Sequence, residues 1–125
     1  MSIERVKKYF KRFGISGRIK ELDSSSATVE LAAQALNCEP ERIAKTLAFN
    51  VNEQIVLIVT AGDAKIDNHK YKTVFGLKAK MLSPEMVENL VGHAVGGVCP
   101  FGINENIAVY LDVSLKRFKT VFPAC

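Results

Sequence analysis

One continuous apolar run constrains the fold of this chain more than any other segment. Residues Gln54 to Thr60 read Gln-Ile-Val-Leu-Ile-Val-Thr, and no polar residue interrupts the part from Ile55 to Val59. A strand with one face in water alternates apolar and polar residues, so this run indicates a central strand that is covered on both faces. The segment Lys45 to Asn50 also has strand character, and the short connection at 51–53 predicts that the two strands form a hairpin.

Helical spacing and capping residues predict the layers that cover this hairpin. The first helix follows Ser2, carries Ile3, Val6, Phe10 and Phe13 on one face, and ends at Gly14. The second is capped by Ser24 to Ser26, turns Val29, Ala32, Ala33 and Leu36 inward, and ends at Asn37. Further helices are expected from Pro40 to Ala44, from Asp67 to Val74, and from Ser83 to a stop at Gly92.

The remaining strands are expected at Arg18 to Leu22, Leu77 to Met81, Ile107 to Asp112 and Thr120 to Phe122. Helices and hairpins are mixed along the chain without strict β-α-β alternation. The predicted fold class is therefore α+β, with a mixed, largely antiparallel twisted sheet and flanking helices. The whole chain, residues 1–125, is expected to form a single domain.

The composition excludes several classes of protein. The chain is 48% hydrophobic, which suffices for a core without disulfides or metal. No apolar stretch approaches the roughly 20 residues of a membrane helix, and the N-terminus has no signal-peptide core, so we expect a cytoplasmic protein without a membrane partner. Cys38, Cys99 and Cys125 match neither a disulfide framework nor a zinc spacing, and no metal or other cofactor is expected.

The positive charge is concentrated in two regions. Residues 1–20 contain seven cations against the single acid Glu4, and residues 65–80 contain five lysines against Asp67. Two basic regions in a small domain suggest a polyanionic partner, with nucleic acid the first candidate. The alternative is an ordinary solvated basic surface.

Lys45 stands out because it begins an otherwise apolar strand face. Strand alternation places Lys45 on one face with Leu47 and Phe49, and Thr46 on the other face. Burying an unpaired ammonium group is costly, so one interpretation is a lysine at the rim whose head reaches water. The other is a cation at the floor or lip of a cleft, directed at an anion or a carbonyl oxygen.

A glycine-rich segment lies in the C-terminal half of the chain. Three glycines and one proline between Gly96 and Gly102 disfavour both a helix and an interior strand. The segment is either a tight structural turn or a loop whose backbone closely approaches a ligand. Cys99 lies within it and His93 just before it, but no spacing pairs them as nucleophile and base. We therefore favour a packing cysteine and a structural or rim histidine.

Taken together, these residues resemble the YbaK/ProX family of aminoacyl-tRNA deacylases, which is similar to the editing insertion domain of bacterial prolyl-tRNA synthetase. The resemblance covers the chain from about Val6 to Pro123. The segments that carry it are, in chain order, Lys45-Thr46-Leu47, Gly62-Asp63 and Gly96-Gly97-Val98-Cys99-Pro100-Phe101-Gly102.

The resemblance implies a YbaK-like fold and a trans-editing hydrolase that cleaves the ester of mischarged tRNA, typically cysteine or alanine on proline tRNA. It implies that Lys45 is the catalytic side chain and that Gly96 to Pro100 line the aminoacyl pocket with backbone groups. The expected substrate-binding residues are Thr46, His93, Gly96, Gly97, Val98, Cys99, Pro100, Phe101 and Gly102. The expected partners are the acceptor end of aminoacyl-tRNA and prolyl-tRNA synthetase, and we expect a monomer without a metal or covalent intermediate.

Two alternatives stay open at this point. One is a non-catalytic tRNA- or synthetase-binding module of the same fold, and the other is a hydrolase of another small ester or nucleotide conjugate. The family usually continues beyond the position of Cys125 through a small polar segment and a last helix. We therefore expect this chain to lack the usual C-terminal segment of the family.

Overall fold

The computed structural model describes residues 2–21, 28–93 and 98–123, which contain four α-helices and four β-strands. The helices are α1 (Ser2–Arg12), α2 (Val29–Leu36), α3 (Asn68–Phe75) and α4 (Pro84–Val91). The strands are β1 (Ile43–Val51), β2 (Gln54–Ala61), β3 (Ala108–Leu111) and β4 (Phe122–Pro123). Short 3-10 helices span Ser16–Arg18, Pro40–Arg42 and Val113–Arg117.

The antiparallel hairpin of β1 and β2 is the centre of the sheet. Asn52 and Glu53 form its turn, and both have positive φ angles of 51° and 69°, which suit the right-handed twist of a two-residue hairpin. The Asn50 side chain accepts a hydrogen bond from the Glu53 backbone N–H at 3.0 Å. All residues of β2 from Val56 to Ala61 are buried, so the predicted central strand with two covered faces is confirmed.

The sheet has the strand order β3-β2-β1-β4, and both outer strands run parallel to their neighbours. The parallel pairing of β3 with β2 requires a long connection, and α3 and α4 supply it. The mixed sheet and the α+β class predicted from the sequence are confirmed. The longest strand pairing, from Ala44–Ala61 to Val51–Gln54, is antiparallel.

Helices α3 and α4 cover opposite faces of the hairpin. On one face Phe49 packs against Tyr71 of α3, and on the other Ala48 and Leu57 pack against α4. Ile43, at the start of β1, packs against α2. Leu57 is fully buried, and burying a leucine side chain contributes roughly 1.5–3 kcal/mol to folding. The hairpin therefore joins the helical layers into one core.

Side-chain caps begin three of the described helices. Thr28 caps α2, Asp67 caps α3 and Ser83 caps α4, each by accepting a hydrogen bond from a backbone N–H of the first turn. Helices α2 and α4 end where Asn37 and Gly92 adopt the left-handed conformation, as the sequence predicts.

Two predictions near the N-terminus are wrong. Phe13 is 58% exposed, because α1 ends at Arg12 and the Phe13 ring then packs at a tilt against Tyr9, with ring centroids 5.1 Å apart, rather than entering the core. The strand predicted from residue 18 is absent over 18–21, since Ser16–Arg18 form a 3-10 turn and Ile19 packs against α1. Ser24 to Ser26, the predicted cap of α2, lie outside the described residues.

Two further predicted segments also differ. The short helix expected from Pro40 to Ala44 ends at Arg42, because the next two residues are buried as part of β1. The strand expected from Leu77 to Met81 is reduced to one isolated bridge between Met81 and Phe49. Leu77 and Met81 are 46% and 57% exposed, so this segment lacks the buried face that stabilises a full strand.

Gly62 directly follows β2, at a point where the chain passes close to its neighbours. A Cβ atom at this position would overlap the Pro40 carbonyl oxygen and would lie 2.7 Å from Val29 Cγ1. We expect Gly62→Ala to lower the free energy of unfolding by about 1–3 kcal/mol in urea denaturation. The control is Gly17→Ala, whose added methyl group meets nothing within 4 Å, and equal effects of both variants would contradict the prediction.

Candidate functional site

Lys45 occupies the third position of β1, opposite Thr60 of β2. Its Nζ donates a hydrogen bond to the Gly62 carbonyl oxygen at 3.4 Å, at the end of the hairpin that is far from the turn. Lys45 is half-buried, and none of the ion pairs formed by the described residues includes it. Its ammonium group therefore carries a positive charge that no carboxylate in the described ranges neutralises within 4.0 Å.

Lys45 and Thr46 point to different faces of the sheet. Thr46 shares a face with Ala48, where α4 packs, and Val98 of the glycine-rich loop packs against the same cluster. The Thr46 hydroxyl oxygen is buried and has no hydrogen-bond partner among the described residues. Lys45 reaches the Gly62 turn from the other face, and its described hydrogen bond does not join it to residues 98–102.

His93 holds the described part of the glycine-rich loop. It follows Gly92, the residue that ends α4, and it is fully buried. Its Nε2 lies 2.6 Å from the Phe101 carbonyl oxygen, and because a carbonyl can only accept, Nε2 carries the proton and donates. Cys99 Sγ lies 3.8 Å from the same nitrogen and 3.7 Å from the Phe101 oxygen. Gly96 and Gly97, which belong to the predicted site, lie outside the described residues.

The surroundings of Cys99 and His93 are those of packing residues. Cys99 is fully buried in a cluster with Val6 and Phe10 of α1, and Phe101 packs against that cluster. The contact with Cys99 raises the pKa of His93; burial opposes this shift, and the hydrogen bond with Phe101 adds to it. A nucleophilic cysteine must be reached by its substrate, which the burial of both side chains does not allow.

Arg5 joins both ends of the loop to α1. Its Nη1 donates to the Gly92 carbonyl oxygen at 3.3 Å, and its Nη2 donates to Asn104 Oδ1 at 2.8 Å. Asn104 in turn donates from Nδ2 to the Leu90 carbonyl at 3.0 Å and from its backbone to the Val91 carbonyl at 2.9 Å. In the sequence, Arg5 is one of the seven cations of the basic N-terminus, and its contacts with the loop are not predictable, since no local spacing links residues 99 positions apart.

Asp63 forms an ion pair with Arg117. Its Oδ2 and Oδ1 accept hydrogen bonds from Nη1 and Nη2 of Arg117 at 3.0 and 2.5 Å. This hydrogen bonding to Arg117 holds the pKa of Asp63 below its ordinary value, so the carboxylate stays ionised at neutral pH. The pair lies one residue beyond Gly62, next to the hydrogen bond of Lys45.

The two basic regions are largely exposed. On α1, Lys7 pairs with Glu21, while Lys8, Lys11 and Arg12 are exposed. The lysines of the second region, all exposed, are Lys65, Lys70, Lys72, Lys78 and Lys80. These cations are therefore accessible to a polyanionic partner.

A cavity of 740 Å³ lies between α1, α2 and β4, within the size range of small-molecule sites. Phe101 of the loop lines it on one side, and Ile43 lines it on another. Because Ile43 and Lys45 are two residues apart in β1, they belong to the same strand face. Arg18 and Lys20 contribute positive charge to the described walls.

Two classes of feature are absent from the part of the chain that the structure describes. It contains no helix with the length and apolar character to cross a bilayer. It also contains no group of three or more His, Cys, Asp or Glu side chains placed to hold a metal ion.

Comparisons with known proteins identify related sequences over most of the chain. Residues 23–125 match the family model described as an aminoacyl-tRNA editing domain. The Bacillus subtilis (strain 168) protein named "Uncharacterized protein YwhH" is 52% identical over 126 residues, which cover 100% of this chain and 80% of that protein. A proline–tRNA ligase of Bacillus cytotoxicus is 34% identical over 85 residues, which cover 67% of this chain and 15% of the ligase.

Solved structures share the fold. A protein described as a candidate trans-editing enzyme for prolyl-tRNA synthetase superposes with a TM-score of 0.86 and is 32% identical in sequence. That match covers 96% of this chain and 77% of the other. It extends over more of the chain than the family model, whose match begins only at residue 23.

The contacts of Arg5 predict that it restrains the loop. Arg5→Met keeps the aliphatic stem but removes both donors, which leaves part-buried acceptors on Gly92 and Asn104 unpaired. We expect the free energy of unfolding to fall by about 1–3 kcal/mol and the backbone amides of Cys99, Phe101 and Gly102 to exchange faster with deuterium. Arg12→Met on the exposed side of α1 is the control, and identical exchange in the two variants would refute the role given to Arg5.

Proposed function

Because the chain belongs to the aminoacyl-tRNA editing domain family, we propose that it hydrolyses the ester between a mischarged amino acid and the 3′ end of tRNA. The proline–tRNA ligase relative, and the structural relative described as a candidate trans-editing enzyme for prolyl-tRNA synthetase, support proline tRNA as the carrier. Cysteine and alanine are the amino acids we propose. A synthetase pocket discriminates between such small side chains by only about 1–3 kcal/mol of binding free energy, so a second, hydrolytic site is needed to remove the wrong amino acid.

The half-buried ammonium group of Lys45 is the observation that carries this proposal. Its described partner is the neutral Gly62 carbonyl at 3.4 Å, a long hydrogen bond that a substrate oxygen can replace at little cost. A positive charge in a partly desolvated position interacts more strongly with a developing negative charge than the same group does in water. Lys45 is thus suited to stabilise an anionic intermediate.

The proposed reaction is a direct hydrolysis. The oxygen of a water molecule attacks the ester carbonyl carbon, and the carbonyl oxygen becomes an oxyanion beside Lys45. The tetrahedral intermediate then collapses, the bond to the tRNA oxygen breaks, and the attacking water supplies the proton that this oxygen takes up. The products are the free amino acid and tRNA with its terminal hydroxyl restored.

The cavity beside the loop is the site we propose for the aminoacyl end. It is bounded by Phe101 and by Ile43, the neighbour of Lys45 on the same strand face. We propose that the backbone N–H groups of Val98, Phe101 and Gly102 face the ester. In this proposal His93 and Cys99 act through that backbone, because their side chains are buried beneath it. Their contacts with Phe101 would preorganise the loop before the substrate arrives.

Removal of the Lys45 ammonium group tests the proposal. We expect Lys45→Ala to reduce kcat/KM for release of cysteine or alanine from proline tRNA by about 10²–10³-fold, the usual loss for one preorganised donor at an oxyanion. The measurement is single-turnover deacylation of proline tRNA charged with cysteine, alanine or serine. The control is Lys119→Ala, an exposed lysine outside both basic regions, for which we expect wild-type rates.

The same experiment separates hydrolysis from simple binding. If the wild-type protein binds mischarged tRNA but releases no amino acid above background, the chain is a non-catalytic binding module. If Lys45→Ala and the wild type are equally fast, hydrolysis stands and Lys45 is not its catalytic residue.

The exposed lysines of α1 predict a salt-dependent affinity for tRNA. Each phosphate contact that is lost reduces the slope of log K against log salt concentration by about 0.7–0.9. We therefore expect the double variant Lys8→Ala and Lys11→Ala to bind deacylated tRNA more weakly, with a slope smaller by about 1.5. The control removes equal charge from outside the basic regions, at Lys116 and Lys119, and equal loss of slope in both pairs would exclude α1 as the binding surface.

A further inference from the structure

The turn beside Lys45 contains a fixed arrangement of two cations and one carboxylate. Arg117 ends the 3-10 helix Val113–Arg117, and its Nε donates to the Ser114 carbonyl of that helix at 3.0 Å. Its two terminal nitrogens donate to the two carboxylate oxygens of Asp63. All three nitrogens of the planar guanidinium group therefore donate hydrogen bonds, and two of them bind both carboxylate oxygens of Asp63.

The third charge is the ammonium group of Lys45. Its hydrogen bond goes to the carbonyl of Gly62, the residue directly before Asp63. The charge of Lys45 also lowers the pKa of Asp63, as the smallest of the effects that act on this carboxyl group, whereas the hydrogen bonds with Arg117 are the largest. The ion pair formed by Asp63 is nevertheless with Arg117.

We propose that Arg117 is a positioning residue: by occupying both oxygens of Asp63, it keeps the Lys45 ammonium group available to the substrate. This inference rests on the proposed function, because it assigns Arg117 a role only through Lys45. A carboxylate is a much better acceptor for an ammonium group than a carbonyl oxygen, so an unoccupied Asp63 would draw Lys45 into an ion pair. The pair would neutralise the positive charge that the oxyanion needs.

The net charge of the turn predicts whether each substitution lowers or restores activity. With all three groups present, the turn keeps a single net positive charge. Loss of Arg117 alone leaves Lys45 and Asp63 to neutralise each other. Loss of Arg117 together with the charge of Asp63 restores one free positive charge, which is that of Lys45. Removal of the Asp63 charge should therefore restore the deacylation activity that is lost when Arg117 alone is replaced.

The test compares Arg117→Gln, Asp63→Asn and the double variant in the tRNA deacylation assay. We expect Arg117→Gln to lower kcat/KM by about tenfold or more, Asp63→Asn to stay within about twofold of wild type, and the double variant to recover to within about threefold. Lys116→Gln is the matched control, because it removes one positive charge from the same 3-10 helix without touching Asp63. A purely structural ion pair gives the opposite pattern: Asp63→Asn is as damaging as Arg117→Gln, and the double variant does not recover.

A second readout does not depend on activity. In protein with ¹³C-labelled lysine ε-carbons, assigned by Lys45→Arg, we expect Asp63→Asn to shift the Lys45 signal strongly in the Arg117→Gln background and weakly in the wild-type background. Equal shifts in both backgrounds overturn the inference, even if deacylation is observed. If no deacylation is observed, the proposed function fails while the lysine signal still decides whether Arg117 controls the partner of Lys45. Should Arg117→Gln not fold, Arg117→Met, which keeps the aliphatic stem but removes the charge and both hydrogen bonds to Asp63, replaces it in both measurements.

Discussion

The antiparallel pairing of β1 with β2 is the constraint on which the rest of this structure depends. Its register places Phe49 and Leu47 on the face of α3, and Ala48 on the face of α4. A slip by one residue would exchange the two faces along the whole strand. It would turn the ammonium group of Lys45 toward the apolar α4 cluster, where burial of an unpaired charge is costly. The packing that fixes the register therefore also fixes the position of the charge.

A second constraint acts on the chain between α4 and β3. This segment has little regular structure in the described ranges, yet its backbone is held from both sides. Arg5 binds its two ends from α1, and His93 binds the Phe101 carbonyl from beneath. Such contacts lower the conformational entropy of the loop before a ligand binds. A glycine-rich loop that is restrained in this way can present its backbone groups in a defined arrangement.

Much of the fold could be predicted because it follows from local patterns. The central strand was evident from the apolar run of β2, and Asp67, Ser83 and Gly92 marked helix ends through capping chemistry that acts within a few residues. The strand expected at 77–81 failed because β-propensity does not stabilise a strand without a buried face. Lys45 could be singled out from the sequence because it is a cation at the start of an otherwise apolar strand face.

The contacts that were missed join residues far apart in the chain, such as Arg5 with Asn104 and Asp63 with Arg117. Nothing in the composition of either pair distinguishes these arginines from those that face solvent. Only the folded arrangement of α1, the loop and the Gly62 turn brings their partners within reach. Residues 96 and 97 stay predictions, since they lie outside the described residues.

The positive charges of this molecule divide into two kinds with different physical effects. Two unit charges 4 Å apart interact by about 1 kcal/mol in bulk water and by about 4 kcal/mol at an effective dielectric constant of 20. The exposed lysines of α1 belong to the first case, and salt screens them over a Debye length of about 8 Å. They are suited to attract and orient a long polyanion.

The half-buried Lys45 is closer to the second case, where one charge can change the energy of a single reacting group. The same reasoning applies to the role proposed for Arg117. If Asp63 pairs with Arg117, the charge of Lys45 stays available, and if Asp63 pairs with Lys45, that charge is neutralised within the protein.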